Sequence, residues 1–304
     1  MPATIEHIER VLAYLNDNGE TETLKHYQIK PETLERYKRR KNFYETKQPK
    51  VLLLDIETSR IIFGGWSTGK QYVNHEQIIK DWFIFGWACK WLFESKTESE
   101  FVISEEALKR DDSRICKKLW AFIERADIII THNGDHFDTP KINWRFLINK
   151  ITPPSPFQSI DTYKVSRKTF GPSSHALTFL GKMLLRKEKI RTDYQLWIDC
   201  ENGNQSKIDF MKEYCKGDVG LLEDVYLELR PWIKSHPNMA IYQESIEPSC
   251  PNCGSANIDE CGHYATIVNR YIAFRCRDCG AICRSRKTDI PLKCKAGILA
   301  PTAR

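Results

Sequence analysis

The chain has 304 residues, 41% hydrophobic and 28% charged, with a formal net charge of +6. That length predicts two or three domains, and the composition excludes wholesale disorder. No apolar run approaches the roughly 18 to 20 residues a bilayer span needs, which excludes a membrane protein. The opening residues MPATIEHIERVLAYL lack a basic stretch followed by an apolar one, so no secretion signal is expected and the cytoplasm is the predicted location. The charge is uneven. Residues 30–50 and 250–304 each sum to +5, residues 1–29 to -3 and residues 51–249 to -1, so two basic stretches flank a near-neutral middle. This pattern fits a catalytic body with appendages that grip nucleic acid, and equally fits solvated charge on helix faces.

The first fifty residues read as helical. Ile5, Ile8, Leu12 and Leu15 fall on one face of a helix that Asn18-Gly19 is placed to stop. Leu24 and Tyr27 mark a second helix, and Pro31 opens a third, because a first-turn residue needs no amide proton. The phrase TLKHYQIKPETLERYKRR resembles a helix-turn-helix with Ile29, Leu34 and Tyr37 as its core. Arg36, Lys38, Arg39 and Arg40 are then candidate phosphate contacts. A structural helical hairpin with a basic linker accounts for the same residues.

After Pro49 the pattern changes. VLLLDIETS, FIFGWAC and EFVIS read as strands, and a helix follows with Asp112 or Ser113 as cap and Ile115, Leu119 and Phe122 as its inward stripe. DIIITHN returns to strand. A helix after Asp138, a strand near FQSIDTY, a helix in HALTFLGKMLL and a long helix over about 208–229 complete an α/β layered domain. Pro231, Pro237 and Pro248 punctuate its exit, giving predicted divisions at 1–48, 49–235 and 246–304.

Three acidic fragments stand out. Asp55 and Glu57 are two apart on a strand, so both leave one face at the end of an apolar run where a cation is needed to neutralise them. Asn133, Phe137 and Asp138 form Asn-x-x-x-Phe-Asp at a strand-to-helix junction, where Asp138 alone would read as a helix cap. Tyr214 and Asp218, four apart in EYCKGDVGLLEDVYLEL, share one helix face.

In this order, DIE, NGDHFD and YCKGD resemble the three motifs of the DEDD exonucleases, the DnaQ-like branch of the ribonuclease H-like fold, over residues 51 to about 230. Position 213 is Glu and position 214 Tyr, the pattern of the tyrosine subclass. The phrases DWFIFGWACKWL, ADIIITHNGDHFD, PPSPFQSIDTYKVSRKTF and LELRPWIKSHPN are similar to ribonuclease H-like exonucleases of tailed bacteriophages and some bacteria. His175 stands where that resemblance leads one to expect Asn.

The resemblance implies a 3′ to 5′ exonuclease with a mixed sheet flanked by helices, acting most readily on single-stranded DNA in replication, proofreading or repair. Two Mg²⁺ or Mn²⁺ ions, roughly 4 Å apart, would be held by Asp55, Glu57, Asp138 and Asp218, with Asp55 bridging both. Tyr214 would orient the attacking water, and Thr58 and Asn133 would contact the terminal nucleotide. No polymerase domain is present, so a polymerase or replisome partner would be a separate chain. An RNA-processing or structure-selective nuclease is the enzymatic alternative. A DNA-binding regulator without catalysis is the alternative of another class.

The chain has 11 cysteines. Cys250-Pro-Asn-Cys253-Gly and Cys276-Arg-Asp-Cys279-Gly resemble the two knuckles of a zinc ribbon, predicting one structural Zn²⁺ in a closed four-thiolate site with YIAFRC as a strand between them. Cys261, Cys283 and Cys294 are spare. Arg275, Arg277, Arg284 and Arg286 surround the second pair, which reads either as a phosphate-contacting ribbon or as a structural module.

Overall fold

The computed structural model describes residues 5–34, 37–38, 49–66, 69, 72–187, 190, 192–243 and 247–302. The chain divides into two compact units. One comprises residues 1–2 and 50–226, the other residues 3–49 and 227–304.

The first unit is built on a five-stranded sheet of order β5-β4-β1-β6-β7. Its strands are β1 (Val51–Thr58), β4 (Ile84–Trp91), β5 (Glu98–Phe101), β6 (Ile128–Thr131) and β7 (Gln158–Asp161). β1 pairs antiparallel with β4 and parallel with β6, while β4–β5 is antiparallel and β6–β7 parallel. The sheet is therefore mixed. β6 is buried on both faces, and β4 is buried through Lys90, which is why each reads as a continuous apolar run. In β1, Leu52, Leu54 and Ile56 are buried on one face, so the alternation delivers Leu53, Asp55 and Glu57 to the other.

Between β1 and β4 lies a small two-stranded ribbon, β2 (Ile62–Phe63) and β3 (Ile78–Lys80), which the sequence pattern does not announce. The helices are α3 (Ser104–Lys109), α4 (Ser113–Ile123), α5 (Asp138–Ile148), α6 (Thr162–Thr169), α7 (Leu177–Leu185), α8 (Tyr194–Glu201) and α9 (Gln205–Leu229), of which α4, α5, α7 and α9 are those the sequence pattern predicts. α4 buries Ile115 and Leu119 as its spacing predicts, and Phe122 lies 5.4 Å from the Trp87 ring.

Asp112 corrects one expectation. It precedes α4, yet its carboxylate makes no cap bond. Instead it is fully buried, accepts from Nε (2.6 Å) and Nη2 (2.8 Å) of Arg145 on α5, and also accepts from the Ile84 backbone and Asn149. Such a buried pair is tolerated because every lone pair finds a donor.

In the second unit, α1 (Ile5–Asn18) stops at Gly19 and α2 (Glu20–Tyr27) follows at once. Gly19 has φ +79°, a left-handed conformation that glycine adopts without steric cost. Ile8, Val11, Leu12, Leu34 and Tyr37 form one buried cluster with Leu15, Leu24, Tyr27 and Ile29 against it, so the predicted Ile29, Leu34 and Tyr37 do pack together. Lys38 is paired with Glu20 at 3.4 Å. Arg36, Arg39 and Arg40 lie outside the described residues. Beyond α9 comes a three-stranded antiparallel sheet, β8 (Ile258–Ala265), β9 (Arg270–Cys276) and β10 (Ile282–Arg284), in the order β10-β9-β8, followed by the short helix α10 (Leu292–Lys295). β9 contains the predicted YIAFRC strand. Among the described residues no helix is long and apolar enough to cross a membrane.

Candidate metal centre and cysteine module

Asp55 and Glu57 leave the end of β1 where the pairing register with β4 shifts between Glu57 and Thr58. A bulge there turns the strand end and aims its side chains. Opposite Glu57 stands Gly86, whose Cα lies so near the Phe101 ring that an added Cβ would sit 2.3 Å from it. Close packing against β5 thus requires glycine.

α9 brings the third carboxylate. Two features fix this helix within the unit: the buried ion pair of Lys90 on β4 with Glu223, and Gly181 of α7, where a Cβ would meet Leu221 at 2.7 Å. Glu223 also accepts from the Phe93 backbone at 2.7 Å. Held in this way, α9 places Asp218 so that ligand oxygens of Asp55, Glu57 and Asp218 all lie within 4.8 Å of one another. Asp218 is 4% exposed, and Asp55 and Glu57 are half-buried. Tyr214, one turn before Asp218, is buried.

Asp138 lies outside that group of three. It is the first residue of α5 and its Oδ1 accepts from the backbone N–H of Ile56, between the two β1 acids, at 3.1 Å. Its carboxyl is 4% exposed, and burial pushes its pKa up to about 7, against the hydrogen bond from Ile56. The cap reading is thus replaced by a tie from α5 to β1.

Cys215 escaped the sequence reading. Its Sγ lies 3.3 Å from Oδ2 and 3.7 Å from the carbonyl oxygen of Asp55, linking α9 to β1. Burial, and then the charges of Asp55 and Glu57, push its thiol well up, so it serves as a neutral donor to the carboxylate. Its place inside Tyr-Cys-Lys-Gly-Asp was the available signal.

Asn133 has φ +67°, in the left-handed region that Asn tolerates better than most side chains. Asp161 stabilises the turn, accepting from the backbone of Asn133 at 2.8 Å while capping α6 through Tyr163 and Lys164. His132 contacts Thr162 Oγ1 at 2.9 Å and the His175 carbonyl at 3.0 Å, and the His175 ring contacts Ser166 Oγ at 2.8 Å. His175 is therefore tied to His132, the residue before Asn133, and to Ser166 of α6. Thr58 sits half-buried at the end of β1, beyond the shifted register.

Residues 83–230 match the family model described as the RNase_H superfamily. The mixed sheet flanked by helices has a ribonuclease H-like fold. The match begins after β1, so it contains Asp138, Tyr214 and Asp218 but not Asp55 or Glu57. No curated protein matches the chain. Among solved structures it is similar to the family B DNA polymerase from the hyperthermophilic archaeon Pyrobaculum calidifontis, at 15% identity and a TM-score of 0.45, over 60% of this chain and 25% of that one. The chain thus spans about a quarter of that polymerase.

In the second unit, the ligand atoms of Cys250, Cys253, Cys276 and Cys279 also lie within 4.8 Å of one another. The knuckles repeat one backbone pattern. Gly254 and Gly280 donate to the carbonyls of Cys250 and Cys276, and Cys250 and Cys276 donate to Ser255 and Ala281. Gly254 and Gly280 have φ of 77° and 78°, which requires glycine after each pair. Two Sγ–Sγ separations of 3.6 Å far exceed a disulfide and match the edge of about 3.8 Å that four thiolates make around tetrahedral zinc. The residues therefore fit a closed Zn²⁺ site. Cys261 and Cys294 are exposed and Cys283 half-buried, apart from this group. Arg277 is paired with Asp259, whereas Arg284 lies over the Tyr271 ring at 4.0 Å and near Tyr264 at 5.5 Å.

Proposed function

We propose that the chain is a metal-dependent 3′ to 5′ exonuclease of the tyrosine subclass of DEDD enzymes, removing nucleotides from the 3′ ends of single-stranded DNA. The observation that carries this reading is the convergence of Asp55, Glu57 and Asp218 on a ribonuclease H-like sheet, with Asp138 fixed to the same strand. Carboxylates packed so closely repel unless cations neutralise them, and an all-oxygen donor set suits Mg²⁺ or Mn²⁺. Asp55, Glu57, Asp138 and Asp218 would hold two such ions, which when bound supply an activated water and neutralise charge on the phosphate. No protein nucleophile is needed.

The chain's own groups hold and orient. Cys215 fixes Asp55 through its thiol. Asp138 must release its proton to act as a ligand, and Lys141 nearby favours that release. Tyr214 orients the water through its phenol, and Thr58 and Asn133 contact the terminal nucleotide. The basic residues Arg36, Lys38, Arg39 and Arg40 add phosphate contacts, Lys38 at the expense of its pair with Glu20. Cys250, Cys253, Cys276 and Cys279 would hold a Zn²⁺ that stabilises the fold of the module of residues 246–304 and takes no part in cleavage. A separate polymerase is the partner this activity would serve.

The test is digestion of end-labelled single-stranded DNA, duplex DNA and RNA with Mg²⁺ or Mn²⁺. A ladder shortening from the 3′ end of single-stranded DNA supports the reading. Preference for RNA would reassign the substrate, and tight binding with no cleavage of any polymer would mark a regulator.

A further inference from the structure

We propose that Lys141 binds a backbone phosphate of the nucleic-acid strand entering the carboxylate centre, its ammonium held ready between the rings of Trp82 and Phe137. The inference rests on the nuclease reading above and adds to it the residue that recognises the incoming anion.

Lys141 lies on α5 three residues after Asp138, so the two side chains share a face one turn apart. Its Nζ stands 3.6 Å from the centre of the Trp82 ring and 5.0 Å from that of Phe137. Both rings attract a cation through their negative faces but accept no conventional hydrogen bond. Among the described residues no carboxylate comes within 4.0 Å of this ammonium; Asp81 and Asp138 act on it only from further away. It is half-buried, and burial draws its pKa down. A half-buried ammonium with three donors and only ring faces as close partners is costly to the folded protein, and an anionic oxygen relieves that cost.

Charge balance places the anion. The four carboxylates carry four negative charges, which two divalent ions offset. A phosphodiester then brings one more negative charge into a half-buried centre, and Lys141 is the cation placed one turn from Asp138 to meet it. Phe137, next to Asp138, is 38% exposed, so the sandwich reaches the protein surface where a strand can arrive. The competing explanation is a structural staple joining α5 to the residue before Phe83. Such a staple would serve folding without regard to any phosphate.

The experiment measures binding of a phosphorothioate-ended single-stranded oligonucleotide to the full chain by fluorescence anisotropy, in Ca²⁺ to hold cleavage back, across a salt series. Lys141→Met should weaken binding about 10- to 100-fold, as for loss of a charge-assisted hydrogen bond, and Lys141→Arg should restore most of it. The slope of log affinity against log salt should fall by about 0.7 in the Met variant, the change expected when one phosphate of a single strand is no longer neutralised. A methylphosphonate placed singly at each of the last linkages should weaken wild-type binding at one position, and at that position cost the Met variant nothing further. Affinity and slope in Lys141→Met equal to wild type, or an equal methylphosphonate penalty in both proteins at every linkage, would overturn the proposal while wild-type cleavage upheld the nuclease reading. Wild-type protein that neither binds nor cuts the strand would overturn both.

Discussion

The backbone N–H of Ile56 donates to Oδ1 of Asp138 across 3.1 Å, so the carboxylate that opens α5 is fixed to β1 between Asp55 and Glu57. Eighty-two positions apart in sequence, the two residues lock a helix terminus to the strand that carries the other acids. Cys215 of α9 also contacts Asp55, so β1 is tied to both α5 and α9. Carboxylates held against rigid elements in this way keep their geometry despite mutual repulsion, which bound cations would relieve.

Single replacements Asp55→Ala, Glu57→Ala, Asp138→Ala and Asp218→Ala should each lower cleavage by about 1000-fold or more, the scale of losing a ligand in metal-assisted phosphoryl transfer. Circular dichroism spectra should match wild type. Asp55→Ala that cleaves at near wild-type rate would remove the two-metal assignment.

Asp112 and Arg145 form a buried bidentate pair, with side chains 0% and 10% exposed. Asp112→Ala would leave the guanidinium buried without its partner and release the Ile84 and Asn149 donors. The expected loss of stability is about 3 to 5 kcal/mol, read as a lower urea midpoint at unchanged slope. A loss below about 1 kcal/mol would show that water replaces the carboxylate.

How the sequence reveals these features differs from site to site. Asp55 and Glu57 are legible because a period of two puts both on one face, and Tyr214 with Asp218 because a helix repeats in about four. Leu34 and Tyr37 join the expected core because their apolar spacing is local. Asp112 misleads, since a cap and a buried ion pair use the same side chain and the deciding partner, Arg145, lies far along the chain. The β2–β3 ribbon is hidden because strands of two and three residues carry no period, and its strands are separated by fourteen intervening positions. Cys215 shows the same limit: a thiol inside an acidic motif says nothing of which strand it will face.

Zinc content gives a direct check of the cysteine module. Purified protein should hold about one zinc per chain, and the double variant Cys250→Ser, Cys253→Ser should lose it and unfold the β8–β10 sheet. Packing supports this coupling, since Cys250, Cys276 and Cys279 with Ala281 form the module's own buried cluster. Elemental analysis finding no zinc in native protein would refute the assignment.

His236 makes the second unit sensitive to acid. Burial lowers its pKa from 6.5 to about 4, and its Nδ1 contacts the Pro237 carbonyl. The unfolded chain therefore binds the proton more readily than the folded one. Stability from this residue is fully present above pH 6.5 and falls away as the pH drops towards 4, by an amount on the order of 3 kcal/mol. Acid also strips thiolates of metal, but equally in both proteins, so the comparison is made between wild type and His236→Phe, each zinc-loaded and in the same buffers without chelator. The melting temperature should fall with acid more steeply in wild type; parallel curves would show that His236 titrates unperturbed.

Tyr214 poses the sharpest question about the chemistry. It stands one helical turn from Asp218 on α9 and is 8% exposed, so the ring is packed and its hydroxyl can be removed with little rearrangement. If metal ions generate the nucleophile, the phenol orients a water and does not activate it. Tyr214→Phe should then keep oligonucleotide and Mn²⁺ binding while turnover falls by roughly 10- to 1000-fold, the range open to a positioning or proton-transferring group. Asp218→Ala should lose more, because a ligand disappears with it. The decisive measurement is single-turnover cleavage of one labelled oligonucleotide by both variants at saturating Mn²⁺. Full activity in the Phe variant would mean that the ring is there for packing alone, and that water is oriented by the carboxylates without help from the phenol.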